Sequence, residues 1–100
     1  MKKLILLAII ALSFTVQAGN LEIGLEYVKN KNYEQAEQYL LKALQEENKK
    51  ERKAIAYNLL GAIYNAQKKY DKAEQMFLKV IQNGDVKAYY NLGAIYLLQE

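Results

Sequence analysis

The stretch YNLLGAIY at residues 57–64 returns thirty-two residues later as YYNLGAIY at residues 89–96. Both runs are apolar, both carry a glycine in the same frame, and both end on tyrosine. Glycine inside a helix costs about 1 kcal/mol against alanine. A helix-weakening residue placed twice in one frame therefore has a packing reason. A further copy lies upstream. A shift of 37 sets IGLEY (23–27) on LGAIY (60–64), and YEQAEQYLLKAL (33–44) on YDKAEQMFLKVI (70–81). Gly24 then falls on Gly61, Tyr27 on Tyr64 and Ala36 on Ala73, with twelve residues from each glycine to its alanine. Gly93 opens a third unit.

Each unit reads as two helices. In the second, Ile55, Leu59, Leu60, Ile63 and Tyr64 recur at the three- and four-residue spacing of an amphipathic helix. QKKYD breaks that pattern, and Ala73, Met76, Phe77, Val80 and Ile81 form the apolar face of the next helix. Asn83-Gly84-Asp85 then stops it, with Gly84 at C′ and Asp85 as the following N-cap. In the first unit Asn32 with Gln35 reads as a capping box. No strand-like alternation occurs. The expected order is helices at about 20–30, 33–46, 51–66, 70–82 and 86–99. The fold class is all-α: a short solenoid of helix-turn-helix repeats, two pairs plus one further helix. Gly24 and Gly61 open the crossing of each pair, and Ala36 and Ala73 supply the small residue opposite. Tyr27 and Tyr64 fill the space beside it. Buried apolar surface, at about 25 cal/mol per Å², offsets the propensity cost.

These motifs resemble the tetratricopeptide repeat family. Its pattern is an aromatic, Leu-Gly, Tyr, a turn, Tyr-Asp/Glu-x-Ala, then an aromatic and a small residue. Tyr57, Leu60-Gly61, Tyr64, Tyr70-Asp71-x-Ala73, Phe77 and Val80 match it. Ile23-Gly24, Tyr27, Tyr33-Glu34-x-Ala36, Leu40 and Ala43 match it in the first unit, and Gly93 with Tyr96 begin it again. Three differences stand out. The proline that usually ends a repeat is missing, the spacings are 37 and 32, and NGDVKAYYNLGAIY has the character of the related Sel1-like repeats.

The chain begins MKKLILLAIIALSFTVQAGN. Lys2 and Lys3 precede an apolar run of 13 residues, 4–16, and Val16-Gln17-Ala18 sets small residues three and one before a cut after Ala18. That is the pattern of a secretory signal peptide over residues 1–18, with the repeat domain at 19–100. The alternatives are an uncleaved anchor or a buried helix, but a membrane span needs about 20 apolar residues. Without Lys2 and Lys3, 12 basic residues face 11 acidic ones. The pI of 9.0 therefore overstates how basic the working domain is. KKERK (49–53) follows two glutamates and reads as a solvated helix start, so no nucleic-acid footprint is expected.

There is no Cys, His, Trp or Pro in the chain, and Ser13 and Thr15 lie in the leader. Common nucleophile–base arrangements and most transition-metal sites are thereby excluded. Glu46-Glu47, and Glu34 with Glu37 and Gln38, read as solvated helix faces rather than acid–base pairs. Catalytic, cofactor and metal residues are expected to be none, and a carboxylate-based enzyme is the weakest alternative. Most of the nine tyrosines hold repeat-defining positions and read as core.

The resemblance implies that the first helix of each pair lines a concave groove. Its expected residues are Leu21, Leu25 and Val28; then Asn58, Ala62 and Asn65; then Lys87, Tyr90, Asn91 and Ala94. Such a surface suits an extended peptide, whose backbone the asparagines would bond. The Lys/Asn clamp that reads a peptide carboxylate is absent. The expected function is an exported module that binds a protein or peptide partner, in the periplasm or secreted, with a bacterial style of composition. It needs no cofactor, nucleic acid or membrane once the leader is cut. The alternative is a structural unit that self-associates through its last helix, where Tyr89, Leu92, Gly93 and Tyr96 await a second helix.

Overall fold

The computed structural model describes residues 19–83 together with 91, 93 and 94. Helix α1 spans Asn20–Lys29, α2 Tyr33–Glu46, α3 Lys50–Ala66 and α4 Tyr70–Gln82. Residues 91, 93 and 94 are helical. No strand occurs among the described residues. The first four expected helices match these bounds within one residue, and the fifth, at 86–99, lies outside the described residues except at 91, 93 and 94. The stop at Gly84-Asp85, together with Lys87, Tyr89, Tyr90, Leu92 and Tyr96, lies outside the described residues.

Local chemistry favours each helix. Glu22, Glu34, Glu51 and Asp71 stand in the first turns, where the helix dipole favours negative charge. The expected capping box does not form: Asn32 is the N-cap of α2, but its side chain makes no cap hydrogen bond. Its backbone, at φ −87° and ψ 74°, is not in the extended conformation that aims an N-cap side chain at the first turn. Asparagine works instead at the other helix ends. Asn30 Nδ2 donates to the Glu26 carbonyl (3.1 Å) and Asn83 Nδ2 to the Lys79 carbonyl (2.8 Å).

Both pairs turn through the same motif. After α1, the Lys31 N–H bonds the Val28 carbonyl (2.9 Å) and the Asn32 N–H the Tyr27 carbonyl (2.9 Å). After α3, Lys68 bonds Asn65 (3.0 Å) and Lys69 bonds Tyr64 (2.7 Å) in the same register. This is the Schellman arrangement, which needs a left-handed residue at C′. Lys31 and Lys68 fill that place at φ 60° and 61°.

Helix α1 packs on α2 and α3 on α4, while α3 also covers α2 and touches α1. The core is Leu21, Ala36, Leu40 and Ala43 from the first pair. Ala54, Ala56, Leu60, Ile63, Tyr64, Ala73, Phe77 and Val80 complete it from the second. The crossing glycines are buried, and their direct neighbours are larger than expected. A Cβ on Gly61 would stand 2.6 Å from the Phe77 ring, and one on Gly24 2.8 Å from Leu40 Cδ2. The Ala36 carbonyl is 3.5 Å from the latter point. The glycine thus admits the side chain sixteen residues on, and Ala36 and Ala73 are buried beside it. At Gly93 a Cβ would meet nothing within 4 Å among the described residues.

Two faces differ from expectation. Ile55, read as core, is 48% exposed, while Ala54 and Ala56 are buried. Helix α3 is wedged among three helices, so small residues on its flanks are covered and its first apolar residue turns outward. Tyr64 is buried as expected, but its hydroxyl donates to Glu37 Oε1 (2.9 Å). Tyr27 is half-buried and stacks on Tyr39 with ring centroids 5.4 Å apart.

Candidate interaction groove

Residues 58, 62 and 65 of α3 share one helix face at four- and three-residue spacing, and residues 21, 25 and 28 of α1 repeat the pattern. Leu21 does not serve this face. It is buried against the core, next to Ala43, because the start of α1 closes over the end of α2. Leu25 is 36% exposed and Val28 is half-buried against the core. On α3, Asn58 and Asn65 are half-buried and Ala62 is exposed. Ile55, missed as a surface residue, stands one turn before Asn58 and extends the apolar part of the face.

Asn58 and Asn91 are brought together. Asn91 Nδ2 donates to Asn58 Oδ1 across 3.2 Å, linking the second unit to the third. Ala94 is exposed, while Lys87 and Tyr90 lie outside the described residues. Asn65 Oδ1, at the other end of the face, and Gln67 Oε1, at the C-cap of α3, are buried acceptors with no partner among the described residues.

Charge gathers where the start of α1, the end of α2 and the start of α3 meet, and it was not legible as a cluster. Arg52 Nη2 donates to Glu22 Oε1 (2.5 Å) and its Nε to Glu47 Oε2 (2.6 Å). The KKERK run is therefore not simply solvated: its arginine ties α1 to α3 and to the end of α2. These hydrogen bonds hold both glutamates below the usual carboxylate range and raise the guanidinium above its own. Behind the face, burial and then the Glu37 hydrogen bond push Tyr64 up to about 12. Lys72 Nζ stands 5.6 Å over its ring.

Among the described residues, no three acidic, histidine or cysteine side chains gather as a metal site. Nor, among them, is any helix long and apolar enough to cross a membrane.

Two stacked helix pairs, each with a glycine at the crossing and a tyrosine one turn on, set the frame for comparison with known families. A model of the tetratricopeptide repeat matches residues 17–85. The chain belongs to the tetratricopeptide repeat family. No curated protein and no solved structure matches it. Tetratricopeptide repeats generally mediate protein–protein contact, and this tetratricopeptide chain shares their helix-pair frame. The matched span ends before the third unit, whose Sel1-like character remains an expectation from YYNLG.

Proposed function

We propose that this chain is an exported adaptor that binds an uncharged, extended segment of a partner protein along its first helices. The observation that carries the reading is the exposure of Leu25 and Ile55, 36% and 48%, beside the amides of Asn58 and Asn65. Apolar side chains left in water beside half-buried amides suit a peptide, which offers both apolar side chains and backbone amide groups. Export rests on the leader pattern of residues 1–18. On that reading the partner belongs to the cell envelope or its surroundings.

The test compares two double variants. Leu25→Glu with Ile55→Glu charges the groove. Leu41→Glu with Leu78→Glu charges the outer face, where both leucines are 43% exposed. A partner captured from envelope extract should be lost by the first pair and kept by the second, with helicity unchanged in both. Loss through the outer pair alone refutes the groove.

A second reading, self-association through the third unit, is favoured by Gly93 and Ala94, both exposed. Sedimentation across a hundredfold concentration range separates the two. A strictly monomeric chain removes this alternative.

A further inference from the structure

Gly19 is the N-cap of α1, in extended backbone at φ −70° and ψ 163°. It is also the residue that a cut after Ala18 would make the first of the chain. Glu22 folds back over it, with Oε2 2.6 Å from where a Cβ on Gly19 would stand. A carboxylate at this third helical position is within reach of the N-cap nitrogen in a capping box. Beside Gly19 lies a cavity of about 220 Å³, bordered by Asn20, Glu46, Glu47 and Arg52.

The charged groups facing this place are Glu22 from α1, Glu46 at the end of α2, Glu47 just after it, and Arg52 from α3. Arg52 already engages Glu22 and Glu47. Glu46 accepts a neutral donor there, Asn20 Nδ2 at 2.6 Å. Three carboxylates against one guanidinium leave negative charge in excess. In the uncut chain the Gly19 nitrogen is a neutral amide.

We propose that leader removal creates a structural ion pair: the α-ammonium freed on Gly19 is held by the Glu22 carboxylate at the mouth of this cavity. A leader peptidase hydrolyses the Ala18–Gly19 bond with one water, leaving a carboxylate on Ala18 and an ammonium on Gly19. The proposal rests on the processing reading above. A cation at a helix N-terminus is opposed by the helix dipole; here the local carboxylates offset that repulsion. Glycine suits the place because a side chain would push the Glu22 carboxylate aside. Processing then tightens the first turn of α1, and through Glu22 and Arg52 its tie to the second unit.

The test uses the chain from Gly19 to Glu100 with a free amine, which keeps every residue of the buried core. NMR titration of Gly19 should place its amine about one unit above the ordinary range of roughly 7.7–8.0. Glu22→Gln should abolish the rise. Arg52→Gln, which breaks the link to α3 but keeps the carboxylate, should preserve it. The N-acetylated chain should melt lower than the free-amine chain below pH 8. That gap should close as the pH rises through the raised value, because the ammonium stabilises only while protonated. An amine in the ordinary range, or equal melts at every pH, overturns the ion pair. Intact mass of the protein isolated from cells tests processing separately: a first residue other than Gly19 overturns that reading whatever the titration shows.

Discussion

The ring of Phe77 occupies the space that a Cβ on Gly61 would need, at 2.6 Å. Phe77 is fully enclosed and cannot swing away. Gly61→Ala should therefore destabilise by about 1–3 kcal/mol, and Gly61→Leu by more. Gly93 holds the same frame in the third unit, is helical and exposed, and a Cβ there would meet nothing within 4 Å among the described residues. Gly93→Ala should stabilise by up to about 1 kcal/mol. Thermal melts of the two alanine variants should move in opposite directions, and a shared direction would remove the crossing assignment.

Lys31 and Lys68 sit at φ 60° and 61°, where an L side chain costs about 1–2 kcal/mol. Lys31→Gly and Lys68→Gly keep both Schellman hydrogen bonds and relieve that strain. Each should raise stability by about 0.5–1 kcal/mol after the extra flexibility of glycine in the unfolded chain is discounted. Denaturant unfolding checks it, and the gains should add, since the turns belong to separate pairs.

Tyr64 should make the fold sensitive to alkali. Its folded value near 12 lies above the ordinary tyrosine value near 10. The unfolded chain therefore loses this proton first as the pH rises. Stability from Tyr64 is complete below about pH 10 and is lost between about 10 and 12. Tyr64→Phe removes the hydrogen bond to Glu37, costs about 1 kcal/mol at neutral pH, and flattens the alkaline decline relative to the unchanged protein. Melts from pH 8 to 12 decide it; parallel curves would show that Tyr64 is not shielded.

The Glu22–Arg52–Glu47 cluster acts at the other end of the scale. Both carboxylates are held below their unfolded values, so their contribution is present above about pH 4.5 and lost as the pH falls. Arg52→Gln should lower the melting temperature at neutral pH and low salt, and the difference should shrink in acid and in high salt. A difference that does not change with salt would mean the guanidinium acts by packing rather than by charge.

Much of this fold was legible because the repeat restates itself. Gly24 and Gly61, thirty-seven residues apart in apolar runs, located both crossings before any contact was known. Helix bounds followed from period and charge. The turns were less legible, because lysine stands at the left-handed positions where glycine would have announced them. Ile55 and Leu21 were misplaced for one reason: periodicity reports that a helix has an apolar side, not which neighbour covers it. Helix α3 is covered on three sides, and the start of α1 is closed over by α2. Glu22, Glu47 and Arg52 gather from three elements, and no local pattern joins them. The Asn58–Asn91 bond likewise needs the stacking of units to bring its ends together.

The claim that a partner lies along the first helices is tested most directly by placing a photo-crosslinking side chain at position 55 or at position 78 in cells. Ile55 and Leu78 are similarly exposed, at 48% and 43%, on first and second helices respectively. Irradiation should give an adduct of defined mass from position 55 and none from position 78. An adduct from 78 alone, with both proteins folded, would contradict the groove and move the interaction to the outer face.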